Sequence, residues 1–134
     1  MALLPPGSRM RSPLGRAIGL GSAKEGVEHW WALRITSIAL VPLTLWFVIA
    51  IVQLAGADRA VFVDWVRRPI PAVLLILLIA TTFYHGALGL QVVIEDYVHH
   101  EGMKLALILL EKFASVVLAA AALFAVLKIA VGGY

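Results

Sequence analysis

Three apolar runs dominate the sequence, and the first two carry no charge at all: 23 residues from Ile35 to Ala57 and 26 from Pro69 to Ile94. The third, Leu105 to Val131, is interrupted only by Glu111, Lys112 and Lys128 near its ends. Each exceeds the roughly 20 residues an α-helix needs to cross the hydrocarbon core of a bilayer. A water-soluble domain would have to hide all three. With 62% apolar and 14% charged residues, against about 45–50% and about 25% in ordinary domains, the chain lacks the polar surface to do so. The mean hydropathy of +0.96 says the same. The sequence therefore predicts an all-α membrane protein with three transmembrane helices, at about residues 30–57, 69–95 and 104–131. Pro42 lies inside the first and marks where a bend is expected. The charged segments Asp58 to Arg68 and Glu95 to Lys104 read as short polar loops.

Residues 1–26 read as a flexible basic arm ahead of the three-helix unit at 27–134. Arg9, Arg11, Arg16 and Lys24 occur there with no acid before Glu25, among prolines and glycines that break regular structure. No apolar core of about 7–15 residues follows the first charges, so no cleaved secretory signal is expected. The arm is arginine-rich like a mitochondrial transit peptide, but Pro5, Pro6 and Pro13 oppose the amphipathic helix such peptides form. A bacterial inner membrane is the expected location, ahead of the mitochondrial one. Three spans put the termini on opposite sides. Seven basic residues (Arg9, Arg11, Arg16, Lys24, Arg34, Lys104, Lys112) fall on the N-terminal side and four (Arg59, Arg67, Arg68, Lys128) on the other. Basic residues concentrate on the inner side, so the N-terminus is expected in the cytoplasm.

At 134 residues there is no room for a catalytic domain beside three spans, and any reaction needs partners. The absence of cysteine excludes disulfides, thiolate-bound zinc, iron–sulfur ligation and a cysteine nucleophile. A net charge of +3 is too small to point to nucleic acid. Histidine is the strong soft-metal ligand that remains.

His85 is the most informative residue, because an imidazole inside an apolar span is costly without a partner. Gly86 and Gly89 follow it, and HGALG clears one side of the helix for something bulky or for a neighbouring helix. Haem would fit that space, since imidazole is a common axial ligand and a flat macrocycle needs small residues beside it. A plain interhelical hydrogen bond accounts for the pattern equally well, and both readings stand at this stage. Asp96 is eleven positions on, within about 20° of His85 around the helix and about 16 Å along it. Beside it, the Tyr97 phenol is either an interfacial anchor or a donor to a quinone carbonyl. The cluster Glu28, His29, Trp30, Trp31 and Arg34 begins the first span and is expected level with Asp96 and Tyr97. Arg34 is either a boundary charge that sets topology or a fork for a propionate or carboxylate. His99 and His100, adjacent and pointing differently, read as solvated loop residues.

With HGALGLQVVIEDYVHHEG the chain resembles the small hydrophobic membrane-anchor subunit of succinate dehydrogenase, in its mitochondrial-like bacterial form. The family pattern is a histidine in the second of three helices, with Asp-Tyr eleven and twelve residues later and then valine, matched by His85, Asp96, Tyr97 and Val98. Upstream, His-Trp with an arginine five residues after the histidine is matched by His29, Trp30 and Arg34. The resemblance runs from about residue 10 to 134. Some bacterial members have lysine and proline after the valine, where this chain has His99 and His100.

The resemblance implies that His85 ligates the iron of a b-type haem shared with a cytochrome b subunit, whose own histidine supplies the second ligand. It implies that Tyr97 donates a hydrogen bond to ubiquinone and that Asp96 pairs with a partner's arginine. Arg34 and, more weakly, His29 would lie near the propionates or the quinone pocket. FAD and iron–sulfur clusters would be held only by the flavoprotein and iron–sulfur subunits that the anchor docks in the lipid membrane, and the chain would not be catalytic alone. Two other functions fit the residues: a structural or transport three-helix subunit without haem, and the anchor of another haem-b dehydrogenase. A self-contained two-haem cytochrome is disfavoured, because His85 alone lies deep in a span.

Overall fold

The computed structural model describes residues 25–132, so the expected basic arm lies outside the described residues up to its last two positions. Four helices follow one another: α1 (Glu25–Gln53), α2 (Arg59–Arg67), α3 (Pro69–Tyr97) and α4 (Glu101–Val131). No strand occurs among the described residues. Helices α1, α3 and α4 are long and apolar enough to cross a membrane. α3 packs against both α1 and α4, while α1 and α4 do not meet. The arrangement is a row of three with α3 as its spine.

The helix ends follow from local chemistry. α1 runs through Pro42 and stops at Gln53, four residues short of the expected end. The chain then turns through Gly56, whose φ of 83° is a left-handed conformation that glycine adopts without steric cost. Pro69, which needs no amide partner in a first turn, opens α3. α4 ends at Gly132, φ 93°, whose N–H caps the Ile129 carbonyl at 3.1 Å.

The segment from Asp58 to Arg68, expected as a polar loop, is instead dominated by helix α2. The Asp58 carboxylate caps it by accepting from the Val61 N–H at 2.9 Å. Val61, Phe62, Trp65 and Val66 recur at helical spacing and give it one apolar side. The charges between them hide that pattern from a reading by polarity. Val66 is 1% exposed, and the Trp65 ring stacks on Trp46 of α1 at 5.9 Å. Ala50, Ala72, Leu75 and Leu78 complete the buried set, all toward the same half of the molecule. Nothing on α4 is buried. The three spans are thus apolar outside as well as in, as expected where lipid is the solvent.

Candidate functional site

His85 lies on α3 about 18 Å along the helix from Tyr97. Its Nδ1 is 2.8 Å from the Thr36 hydroxyl of α1, across 49 positions of sequence. The same hydroxyl lies 2.7 Å from the Ala32 carbonyl and 3.1 Å from that of Leu33. No hydrogen bond from the described residues engages Nε2. Around the axis His85, Gly89 and Gly86 fall within an arc of about 100°. A Cβ built on either glycine would meet nothing within 4 Å. The space that the sequence reserves beside the imidazole is therefore open. Fitting a haem requires an imidazole nitrogen that is not otherwise bonded and small residues nearby, and His85 with Gly86 and Gly89 fits both. No group of three or more histidines and acids able to hold a bare metal ion occurs among the described residues.

The contact with Thr36 fixes the relative depth of α1 and α3, and it overturns one expectation. Arg34 sits two residues before Thr36, so its backbone is within about 3 Å of the level of His85, whereas Asp96 is about 16 Å away along α3. Arg34 is not level with Asp96 and Tyr97. The reason is that α1 starts at Glu25, five residues earlier than expected, which carries Arg34 more than two turns into the helix. Its guanidinium lies 4.9 Å over the Trp30 ring, reaching back toward the start of α1 in the direction helical side chains lean. His29, two turns before Thr36, occupies an intermediate depth on the same face. Its Nε2 is buried and has no partner among the described residues.

Tyr97 ends α3 and is 79% exposed, with Asp96 exposed beside it. Neither side chain has a hydrogen-bond or ionic partner among the described residues. The expected loop from Glu95 to Lys104 shrinks to the turn at residues 98–100, because α3 continues through Tyr97 and α4 begins at Glu101. Exposed His99 and His100 occupy that turn. Glu95 is engaged elsewhere, accepting from Gln91 Nε2 at 2.8 Å. The site residues thus form two groups, His85 with Thr36 and Arg34 in the span and Asp96 with Tyr97 at its end, and the structure does not join them into one pocket. Two open apolar grooves of about 390 and 450 Å³ flank the α3–α4 contact; of the candidate site residues and the glycines beside His85, Gly86 alone lines one of them, the larger.

The family model described as succinate dehydrogenase/fumarate reductase transmembrane subunit matches residues 8–127. The chain belongs to that family. A member from Rickettsia bellii (strain RML369-C), named succinate dehydrogenase hydrophobic membrane anchor subunit, is 35% identical over 116 residues, or 87% of this chain and 93% of the relative. One of the same name from Paracoccus denitrificans is 34% identical over 113 residues, covering 84% of this chain and 88% of the relative. Another from Rickettsia conorii (strain ATCC VR-613 / Malish 7) is 29% identical over 108 residues, covering 80% and 86%. Membership of this transmembrane-subunit family and three apolar helices together make the chain a multi-pass membrane protein.

Two residues escaped the sequence reading. Thr36 was one hydroxyl among several in the first span, and only its seven-residue spacing from His29 hinted that both share a face. Glu111 was expected near the end of the third span. Because α4 begins at Glu101, it instead lies about 15 Å inside that helix. There it accepts from Ser115 Oγ at 2.8 Å through Oε1, while Oε2 is buried without a partner among the described residues.

Proposed function

We propose that this chain is the membrane-anchor subunit of a succinate dehydrogenase in a bacterial inner membrane, with its N-terminus in the cytoplasm. In this reading it docks the flavoprotein and iron–sulfur subunits, shares a b-type haem with a cytochrome b subunit and helps form the site where ubiquinone is reduced. Besides family membership, the observation that carries the haem assignment is the engagement of His85 through Nδ1 alone, which leaves Nε2 without a bond from the described residues, with uncrowded glycines next in the helix.

When bound, haem supplies a one-electron redox centre between the two membrane subunits. His85 Nε2 would hold its iron. Arg34, whose backbone lies near the depth of His85 and whose guanidinium lies over Trp30, fits a propionate better than a quinone beside Tyr97. Its planar fork suits a carboxylate, and the cation–π contact with Trp30 holds it toward the membrane edge. The orphaned Nε2 of His29 fits a polar partner from outside the chain in the same region. The Tyr97 phenol donates to a quinone carbonyl and raises its affinity for the incoming electron pair. The Asp96 carboxylate accepts from a partner's arginine and so orients the end of α3. Protons would come from the aqueous phase on that side.

A second reading draws on the same contact. His85 joined to Thr36 ties α1 to α3 with no haem at all, as a purely structural or transport subunit requires. Gentle purification of the tagged chain from its native membrane, with identification of what accompanies it and a reduced-minus-oxidised spectrum, separates the two. Flavoprotein, iron–sulfur and cytochrome subunits with a b-type signal are expected. A lone chain without haem would overturn the proposal.

A further inference from the structure

We infer that Thr36 is a positioning residue for His85, fixing the imidazole as the tautomer with its proton on Nδ1 and its lone pair on Nε2. The inference rests on the haem reading above and names a residue of α1 that acts on the ligand without touching the iron.

A hydroxyl has one proton to give. Three hydroxyls of α1 lie at hydrogen-bonding distance from the carbonyl four residues back: Thr36 to Ala32, Ser37 to Leu33 and Thr44 to Leu40, each at 2.7 Å. Ser37 and Thr44 do so with no imidazole partner, so donation into the preceding turn is the ordinary state of such a side chain in this helix. With its proton held there, the Thr36 oxygen can only accept. The 2.8 Å contact is then a bond donated by Nδ1–H. A neutral imidazole protonated at Nδ1 carries its lone pair at Nε2. The opposite arrangement would put an N–H at Nε2, where none of the described residues accepts it. Metal-bound histidines commonly donate their second nitrogen to an oxygen, which sets the ring plane and makes the imidazole a better donor. Thr36 occupies that place here, and the bond bridges two helices, so the ring is set by the α1–α3 packing.

The test uses the assembled complex carrying Thr36→Val, which keeps the shape and removes the acceptor, beside Thr36→Ser, which keeps the oxygen. Haem per flavin, haem affinity and the haem midpoint potential are measured in each. Thr36→Val should weaken haem retention about ten- to hundredfold, the usual cost of losing such a partner. It should also raise the midpoint potential, because a less electron-rich imidazole stabilises ferric iron less. Thr36→Ser should restore both toward the parent values. If Thr36→Val does not assemble, Thr36→Ala is read in the same way. Lower thermal stability with unchanged potential and haem affinity would overturn the inference and leave Thr36 as a helix tie. A parent complex with no b-type haem would instead overturn the haem reading, and the inference with it.

Discussion

The two halves of the bundle differ in how far the chain completes itself. At the α2 half, Val66 is 1% exposed, Trp46 and Trp65 stack, and Ala72, Leu75 and Leu78 are buried between helices. A Cβ on Gly132 would come within 3.7 Å of Arg67, so the end of α4 closes on α2 as well. The opposite half has no such closure. There Tyr97 is 79% exposed, His29 keeps a buried nitrogen without a partner among the described residues, and the glycines beside His85 face open space. Residues that satisfy one another build the first half. Those in the second carry donors, acceptors and open faces with no partner among the described residues, where the proposed haem, quinone and subunits would bind.

That contrast predicts which substitutions cost function and which cost stability. The largest effect should come from His85→Ala, which in the assembled complex should lower bound b-type haem at least about tenfold. Unchanged reduced-haem absorbance would show that the open half does not hold the cofactor. Next, Tyr97→Phe should reduce ubiquinone reduction about ten- to hundredfold, as expected for one lost hydrogen bond to a reacting group. Succinate oxidation by an artificial acceptor should be retained. Equal loss of both activities would trace the defect to assembly.

In the packed half the same scale of change should appear as stability. Trp65→Ala removes the stack on Trp46 and part of the buried face of α2, and should cost about 2–3 kcal/mol. A lower thermal midpoint with an unaltered haem spectrum is the expected pattern. A changed spectrum would show that the halves are coupled. Asp58→Ala, which removes the cap of α2, should cost about 1 kcal/mol in the same assay. Arg68→Ala comes last. Its bond to Asp64 at 3.2 Å joins side chains 65% and 71% exposed, so its loss should shift stability by under about 0.5 kcal/mol. A larger shift would mean that Arg68 meets something outside this chain.

The three spans were legible because runs such as Pro69 to Ile94 need only be counted. The helix α2 was not. Its apolar stripe is four residues long, and Arg59, Asp64, Arg67 and Arg68 outweigh it in any average of polarity. His85 stood out as one imidazole among apolar neighbours, and Asp96 and Tyr97 by their distance from it. Thr36 could not be found that way. A threonine in a membrane helix is unremarkable until the packing of α1 on α3 brings it to a ring nitrogen, and that register depends on where α1 begins. The same register moved the Arg34 backbone from the level of Tyr97 to near that of His85. Depth across helices is a property of packing, and sequence spacing reports it only within one helix.

The turn at residues 98–100 has a consequence in time. With three residues between α3 and α4, the backbone at Tyr97 has no slack of its own. A phenol on a long loop would sample its surroundings in nanoseconds to microseconds. Here a large displacement of the backbone beneath the ring would require two packed helices to shift against each other, a motion of microseconds to milliseconds. A quinone arriving from the lipid at the proposed site would then meet a phenol held on a short, helix-bounded mount.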